Sequence, residues 1–189
     1  WQNDNDDQVV ACRTTWVMEG GNAGYFSTDG TRYWQADQRP WQDVFAAHWQ
    51  QDDAGVMPAG DNAGGGSPTG VVVNESDALG TQYRGMLLSA DAGCNVIFGY
   101  HPKTQRSGYD MGKRLNFITS LREDNVGYVW NDSAHNPQSE KWFRPSDIAF
   151  GTDGALYVAD WYDPVVGGHQ MRDTTAYGRI YRISPKNKS

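Results

Sequence analysis

Two stretches of the chain repeat the same order of apolar runs, polar turns and prolines. They lie at residues 67–102 and 144–185. Each begins with a polar residue and a proline, enters a short apolar strand, and turns through acidic and glycine residues into a second strand that leads to an aspartate. A third strand then ends two residues before another proline. Antiparallel units repeated in this way are typical of a β-propeller or a related array.

This pattern predicts six strands, three in each copy. In chain order they are residues 71–73, 85–89, 95–100, 148–150, 155–159 and 179–183. The second strand leads into Asp91 in one copy and into Asp160 in the other. The two copies are separated by more residues than a single blade contains. Residues 103–141 are polar and weakly patterned, and we interpret them as an insert that accounts for the extra length.

The first part of the chain predicts a third, partial unit. An acidic loop precedes a strand at residues 14–18, and a glycine-rich tight turn follows at residues 20–25. Residues 27–66 hold two prolines and a run of three glycines and have no sustained period of 2 or 3.6 residues. We therefore predict a long loop there, and long ordered loops are often functional.

Together these units predict an all-β fold, a partial β-propeller of about two to three blades with long loops. Residues 1–66 would form a partial blade plus a long loop, residues 67–141 a blade plus an insert, and residues 142–189 the last blade. A four-stranded blade keeps an exposed apolar face until its neighbour stacks on it. We therefore expect the remaining propeller blades to come from missing sequence or from another chain.

Composition and charge agree with this fold and narrow the classes of partner. Eight Trp, ten Tyr and six Phe beside 22 Gly are typical of short strands joined by tight turns. The chain has no apolar run of the roughly 18–20 residues that span a bilayer. Its net charge of −7 argues against nucleic acid or anionic lipid as a partner and is compatible with a cation or a basic protein.

The two cysteines, Cys12 and Cys94, are too few and too far apart in sequence for a zinc site. They could pair as a disulfide if the protein is exported, and two separate buried thiols are the alternative. The chain has no CxxCH sequence, so it carries no haem attachment motif. It also lacks the GxSxG, HExxH and GxGxxG patterns, and hydrolase, zincin and dinucleotide-binding functions are unsupported.

An acidic loop near the start of the chain is the candidate metal site. Residues 3–7 place five oxygen-bearing side chains in five positions, and calcium prefers such hard oxygen ligands. An EF-hand is excluded because the loop lacks its glycine at position six and glutamate at position twelve. The alternative is an Asx-rich turn with solvated carboxylates. The candidate metal ligands are Asp4, Asn5, Asp6 and Asp7.

Two histidines are candidates for acid–base chemistry. His48 lies among aromatic and acidic residues and could act as a base or a ligand. His169 follows a strand exit rich in Asp and aromatic residues, where the mouth of a propeller collects functional side chains. Arg144 and Asp160 are plausible neighbours of His169, and a structural ion-pair network that braces the loops is the alternative.

The motifs of this chain resemble one family of large bacterial proteins, the PVC-type haem-binding proteins, also named membrane-bound dehydrogenases. The resemblance is closest for WFRPSDIAFGTDGALYVADWYDPVVGGHQMRD followed by GRIYRISP, which resembles the end of that family's propeller. Four other segments fit in the same order, and they are WQNDNDD, WVMEGGNAGY, HWQQDDAGVMPAGDNAGGGSPTG and YRGMLLSADAGCNVIFGY. The resemblance therefore covers nearly the whole chain.

The resemblance implies a cofactor, because that propeller is similar to quinoprotein glucose and sorbosone dehydrogenases, which use pyrroloquinoline quinone (PQQ) and calcium. Residues 13–25 resemble the strand and turn that lie near both groups there. This chain departs from the pattern by inserting Ala23 into the turn and by placing Gln50 where a second histidine often follows the His-Trp pair. The residues expected to contact the cofactor are Arg13, Asn22, Asp160, Trp161 and Asp163.

The function that the resemblance implies is a periplasmic or cell-surface dehydrogenase. It would oxidise a sugar or an aldehyde and pass the electrons to a c-type cytochrome domain or subunit. His169 or His48 would act as the base, while Arg144 or Arg13 would stabilise developing negative charge.

Two other functions remain open. The chain could be a non-catalytic module that binds carbohydrate or a protein partner through aromatic stacking surfaces. It could also be a structural subunit of a larger assembly. The aromatic residues considered for stacking are Trp34, Trp41, Trp49, Trp161 and Tyr162.

Overall fold

The structure is a computed structural model that describes residues 1–6, 10–27, 29–30, 34–121, 143–162 and 177–186. Within these ranges the chain forms short antiparallel strands and little helix. In chain order the elements are β1 (Gln2–Asp4), β2 (Cys12–Thr15), α1 (Trp34–Asp37), α2 (Val44–His48), β3 (Asp61–Gly64), β4 (Pro68–Val73), a 3₁₀ helix (Thr81–Tyr83), β5 (Leu87–Asp91), β6 (Val96–Tyr100), β7 (Lys103–Gln105), β8 (Gly108–Asp110), β9 (Leu115–Thr119), β10 (Pro145–Phe150), β11 (Leu156–Asp160) and β12 (Arg179–Ile183).

Three antiparallel sheets form the body of the fold. Blade 1 has the order β1-β2-β3, blade 2 the order β4-β5-β6-β9, and blade 3 the order β10-β11-β12. Strands β7 and β8 form a separate hairpin. None of the described sheets closes into a barrel, and the predicted all-β, partial propeller-like fold class is confirmed.

Pairing and chain direction show which strands of a blade each sheet contains. In blades 2 and 3 the first strand begins with a proline that pairs with the aspartate ending the second strand, Pro68 with Asp91 and Pro145 with Asp160. Strand β1 also ends in an aspartate, Asp4. Strand β3, at the other edge of blade 1, leads through residues 65–67 into β4. Blade 1 therefore contains the second to fourth strands of a blade and blade 3 the first to third.

The blades stack face to face with blade 2 in the middle, and β5 is buried on both faces. Leu88 and Ala90 face the core shared with blade 3, while Leu87 on the opposite face packs in the core shared with blade 1. Successive side chains of a strand point to opposite faces of the sheet, so a strand enclosed on both faces carries buried residues at every position. The core with blade 3 consists of Met86, Leu88, Ala90, Ile97, Phe143, Ile148, Leu156 and Val158.

Polar contacts fix the register between blades. Asn3 Nδ2 donates to Ser89 Oγ at 3.1 Å, and the hydroxyl oxygens of Thr14 and Ser89 lie 2.9 Å apart, so blade 1 is tied to β5. The Thr69 hydroxyl donates to the carbonyl of Pro145 at 2.7 Å and ties blade 2 to blade 3. These bonds compensate the polar groups for their loss of water within the stack.

Two segments contain more regular structure than the sequence analysis predicted. Residues 27–66 are not only loop, since they hold both α-helices and β3. The insert at residues 103–141 contains the β7–β8 hairpin and β9, the fourth strand of blade 2. The strand predicted at residues 14–18 lies at Cys12–Thr15. Strand β3 reads Asp-Asn-Ala-Gly at a sheet edge, and such a strand needs no alternation of apolar and polar residues.

Both cysteines are buried and free, as the alternative to a disulfide predicted. Cys12 donates its thiol hydrogen to Asn5 Oδ1 at 2.9 Å, and Cys94 donates to the carbonyl of Gly65 at 3.2 Å. Among the residues that the structure describes, no helix has the length and apolar character to cross a membrane.

Candidate functional site

We call one end of the stack the loop end. It is the end at which the second strand of every blade finishes. Asp4, Asp91 and Asp160 are the last residues of β1, β5 and β11 and lie at this end. Most residues that the sequence analysis selected lie in or beside its connections. The loop end is therefore the candidate functional site.

Two of these three aspartates have structural partners. Asp91 Oδ1 accepts hydrogen bonds from the backbone N–H groups of Ser67 at 2.8 Å and Cys94 at 2.9 Å. Asp160 Oδ1 accepts equivalent bonds from Arg144 at 2.8 Å and Tyr162 at 3.0 Å. Burial raises the pKa of Asp91, although the two N–H donors oppose this shift. Both carboxylates therefore brace the connections between strands.

Asp4 has a different partner, the side chain of Arg13. Asp4 Oδ2 lies 3.1 Å from Arg13 Nη2, and the Asp4 side chain is 35% exposed while that of Arg13 is 1% exposed. Arg13 Nη1 donates to the carbonyl of Ala23 at 2.9 Å, and its guanidinium carbon lies 3.6 Å from the centroid of the Trp49 ring. Within the described residues Arg13 Nε has no hydrogen-bond partner.

We call Asp4, Arg13, Ala23 and Trp49 the Arg13 cluster. Trp49 is fully buried and donates its indole N–H to the carbonyl of Ala11 at 2.7 Å, which fixes the ring over the guanidinium. His48 is 4% exposed, and its ring centroid lies 4.4 Å from that of Trp49. Four of the predicted site residues therefore gather in or beside the cluster, and they are Asp4, Arg13, Asn22 and His48.

The turn that supplies the Ala23 carbonyl requires a glycine. Gly24 has φ +77°, and a Cβ there would lie 1.9 Å from the carbonyl oxygen of Trp49. The N–H of Gly24 also donates to Asn22 Oδ1 at 2.9 Å and closes the turn. Asn22 thus shapes the turn behind Arg13.

The acidic loop engages protein groups. Asp6 is 3% exposed, and its two carboxylate oxygens accept from the N–H of Val10 at 2.9 and 3.1 Å. Asn5 Oδ1 accepts from Cys12, and Asp4 pairs with Arg13. Among the described residues no group of three His, Cys, Asp or Glu side chains could hold a metal ion. Asp7, the fourth predicted calcium ligand, lies outside the described residues.

Arg144 lies at the loop end and connects blades 2 and 3. It is 1% exposed, and its Nη1 donates to the carbonyl of Ala92 at 2.8 Å, with Gly93 O and Asn95 Oδ1 both at 3.4 Å. Its backbone carbonyl accepts from the N–H of Trp161 at 2.9 Å. His169 and Asp163, which were expected nearby, lie outside the described residues.

The aromatic residues considered for ligand stacking differ in their exposure. Trp49 is fully buried and Trp34 is 6% exposed, so neither offers an open ring face. Trp41 is 67% exposed, with the guanidinium of Arg39 5.7 Å from its ring centroid. Trp161 and Tyr162 are partly buried.

Sequence reasoning missed a groove that is lined by the hairpin and by a stretch between α2 and β3. The groove has a volume of about 370 Å³. Trp16 lines it, and the nearby ring of Tyr109 lies 6.1 Å from that of Trp16. Residues 55–58 and 105–109 are far apart in the sequence, so no local motif could have indicated that they meet.

Comparison with known proteins gives one family. No curated protein matches the chain. The model of a domain of unknown function, DUF7133, matches residues 3–187. Since that match covers nearly the whole sequence and all three blades, the chain belongs to the DUF7133 family.

Proposed function

We propose that this DUF7133 chain is the propeller portion of a periplasmic or cell-surface dehydrogenase that binds its substrate at the loop end. It would oxidise a sugar or an aldehyde and pass the electrons to a c-type cytochrome partner. The resemblance of its motifs to the PVC-type haem-binding, or membrane-bound dehydrogenase, family motivates this reaction. Membership of DUF7133 assigns no activity by itself.

The observation that carries the proposal is the Arg13 cluster. It pairs the Asp4 carboxylate at the loop end with an enclosed guanidinium that holds it in place. Among the described residues Asp4 is the one carboxylate paired with Arg13, and enclosing an arginine with a single such partner is costly. Binding sites are places where such arrangements are retained. The cluster also gathers residues that the sequence selected independently from three separate segments.

The chemistry requires a group that takes up a proton. Oxidation of an alcohol carbon, or of a hydrated aldehyde, to a carbonyl removes two electrons and two protons. This chain would bind the substrate hydroxyl and accept its proton. An oxidant of the quinone class would take the hydrogen of the carbon–hydrogen bond together with both bonding electrons. His48 lies behind Trp49 with 4% exposure, so its access to substrate would require movement of the cluster.

The described residues do not form a site for either group that the resemblance implies. The oxygen atoms of Asp4, Asn5 and Asp6 engage separate protein partners, so a calcium ion would need Asp7 or ligands from elsewhere. Arg13 and Arg144 are at most 2% exposed and offer no open guanidinium to the carboxylates of PQQ. Calcium and PQQ stay predictions, and we assign no step to them.

The test is oxidation by the natively purified protein, followed by the bleaching of dichlorophenolindophenol with glucose and acetaldehyde as substrates. PQQ and calcium are added in one arm and omitted in the other. We expect dye reduction with at least one substrate and a c-type haem spectrum in the same preparation. Substrate binding without dye reduction in either arm would contradict the dehydrogenase function and favour a binding module.

A further inference from the structure

The groove beside Trp16 lies at the opposite end of the stack from the loop end. Strand β2 leads away from the loop end to Trp16, and β6 leads the same way towards the β7–β8 hairpin. One wall of the groove belongs to the connection between β2 and β3, and the other to the connection between β6 and β9. All four of these strands are described, so the sheets of blades 1 and 2 hold both ends of each wall.

The two walls of the groove differ in chemistry. Met18 and residues 55–58 give an apolar wall, whereas residues 105–107 of the hairpin bring an amide, a guanidinium and a hydroxyl. The aromatic rings of Trp16 and Tyr109 line the groove as well. A volume of about 370 Å³ suits a small ligand, and small-molecule sites combine apolar walls with a few polar groups in this way.

Arg106 gives the groove its charge. It is exposed at the tip of the hairpin and forms no ion pair with another described residue. Lys103, in the same hairpin, lies opposite Asp110 in the strand register. Arg114 Nη1 lies 2.6 Å from Asp61 Oδ2. Since no acidic side chain of the described residues lines the groove, the guanidinium of Arg106 is open to an anionic ligand.

The backbone at Arg106 favours a role in binding over a role in folding. Gln105 and Gly108 pair across the hairpin, so Arg106 and Ser107 form a two-residue turn. Arg106 has φ +53°, in the left-handed region where such turns favour Gly, Asn or Asp. A long side chain is strained in this conformation, and strained residues gather at ligand sites.

A buried donor in the groove wall also lacks a partner. Trp16 is 8% exposed, and its indole N–H has no hydrogen-bond partner among the described residues. Buried polar groups of native proteins are nearly always paired with a protein group or with water. A ligand oxygen beside Trp16 would supply the missing acceptor.

We infer that this groove binds an acidic sugar, a pyranose ring that carries a carboxylate, as the uronic acid residues of glycans do. The carboxylate would accept two hydrogen bonds from the Arg106 guanidinium in bidentate geometry. The C–H face of the ring would pack on the aromatic and aliphatic side chains, and its hydroxyls would bond to the hairpin and to the Trp16 indole. The inference goes beyond the proposed function, because the groove lies at the other end of the stack from the proposed substrate site.

Isothermal titration calorimetry of the natively purified protein with the galacturonic acid trimer tests the ligand class. The methyl ester of the same trimer is the matched neutral probe, and a capped aspartate tripeptide carries the same number of carboxylates without sugar rings. We expect the acidic trimer to bind at least roughly tenfold more tightly than either probe. Equal binding of the ester would exclude the role of Arg106, and equal binding of the peptide would exclude a sugar ligand in favour of an acidic peptide.

Phenylglyoxal modification locates the bound trimer, because this reagent reacts with exposed arginine side chains. Mass spectrometry of peptides should show that the trimer slows the modification of Arg106 and leaves that of Arg84 unchanged. Arg84 is the matched control, since its side chain is 64% exposed and pairs with Asp77 on the surface. Protection of both arginines, or of neither, would show that the inference is wrong.

Arg106→Gly separates binding from folding. Glycine adopts φ +53° without strain, so the variant should melt no lower than the wild type. Its affinity for the trimer should fall by about 10- to 100-fold, as expected for the loss of charge-assisted hydrogen bonds to one carboxylate. Arg106→Lys should retain part of the affinity, because it keeps the charge and loses the bidentate geometry. Arg84→Met should bind like the wild type, and full affinity in Arg106→Gly would overturn the inference.

Discussion

Arg144 allows a quantitative test of how the blades are held together. We expect Arg144→Met to destabilise the protein strongly, because the variant keeps much of the apolar stem and removes every side-chain donor. Arg144 Nη1 bonds to Ala92 O at 2.8 Å and has Gly93 O and Asn95 Oδ1 within 3.4 Å, all on the blade 2 side of the interface. The substitution would leave these buried acceptors without that donor.

The magnitude follows from the number of bonds that one nitrogen can make. Nη1 carries two hydrogens, and a hydrogen bond to a charged group contributes about 1.5–3 kcal/mol. Loss of two such bonds gives a decrease of about 3–5 kcal/mol in the free energy of unfolding, in the range for breaking a buried network. For a chain of this size that corresponds to a fall of about 6–20 °C in melting temperature.

Urea denaturation followed by tryptophan fluorescence measures this change, since the chain has eight Trp. Arg84→Met is the matched control, because Arg84 pairs with Asp77 on the surface with 64% of its side chain exposed. Exposed pairs contribute about 0–1 kcal/mol, so the control should behave like the wild type. An Arg144→Met variant whose free energy of unfolding lies within 1 kcal/mol of the control's would contradict this estimate.

Two further outcomes follow from burial and close packing. Burial raises the pKa of Cys12 to about 12, so roughly one Cys12 thiol in 10⁴ is ionised at pH 8. Because both cysteines are buried, iodoacetamide should alkylate Cys12 and Cys94 only after unfolding. Mass spectrometry counts the alkylated thiols, and rapid alkylation of the native protein would contradict this expectation. Gly108→Ala should lower stability by about 1–3 kcal/mol in urea titration, because its Cβ would lie 2.3 Å from Trp16 Cζ2. Gly178→Ala is the control and should match the wild type, because its Cβ would lie no nearer than 3.5 Å to any atom of the described residues.

The repeat made the blades predictable from sequence. Prolines and aspartates at matching positions marked β4 with β5 and β10 with β11, because Pro68 and Pro145 pair directly with Asp91 and Asp160. The prediction for residues 179–183 agrees with β12 residue for residue. The apolar residues of β5 are buried between two blades, and Leu156 and Val158 of β11 are buried in the core shared with blade 2, so the pattern and the structure have the same cause in these strands.

Elements without that burial could not be predicted in the same way. Strand β3 is polar and lies at a sheet edge, and the five-residue helix α2 is fixed by its Asp43 cap, whose carboxylate accepts from the N–H of Ala46 at 2.8 Å. Edge strands and one-turn helices need little apolar periodicity, since long-range contacts determine them.

The candidate site, too, was predictable from the sequence only in part. The sequence selected Arg13 and Asn22 from residues 13–25 and His48 from a later segment, but only the fold places the Arg13 guanidinium against the ring of Trp49, beside His48. It also could not show that Arg144 is enclosed between blades, because that depends on carbonyl groups some 50 residues away in the sequence.

The proposed dehydrogenase function places the bound substrate at the loop end. A crystal structure of the natively purified protein with the substrate that it oxidises, or with glucose if dye reduction is absent, tests this directly. We predict ligand density at the loop end, among the connections that follow the second strands of the blades. Ligand density in the groove beside Trp16, with no ligand at the loop end, would contradict this prediction.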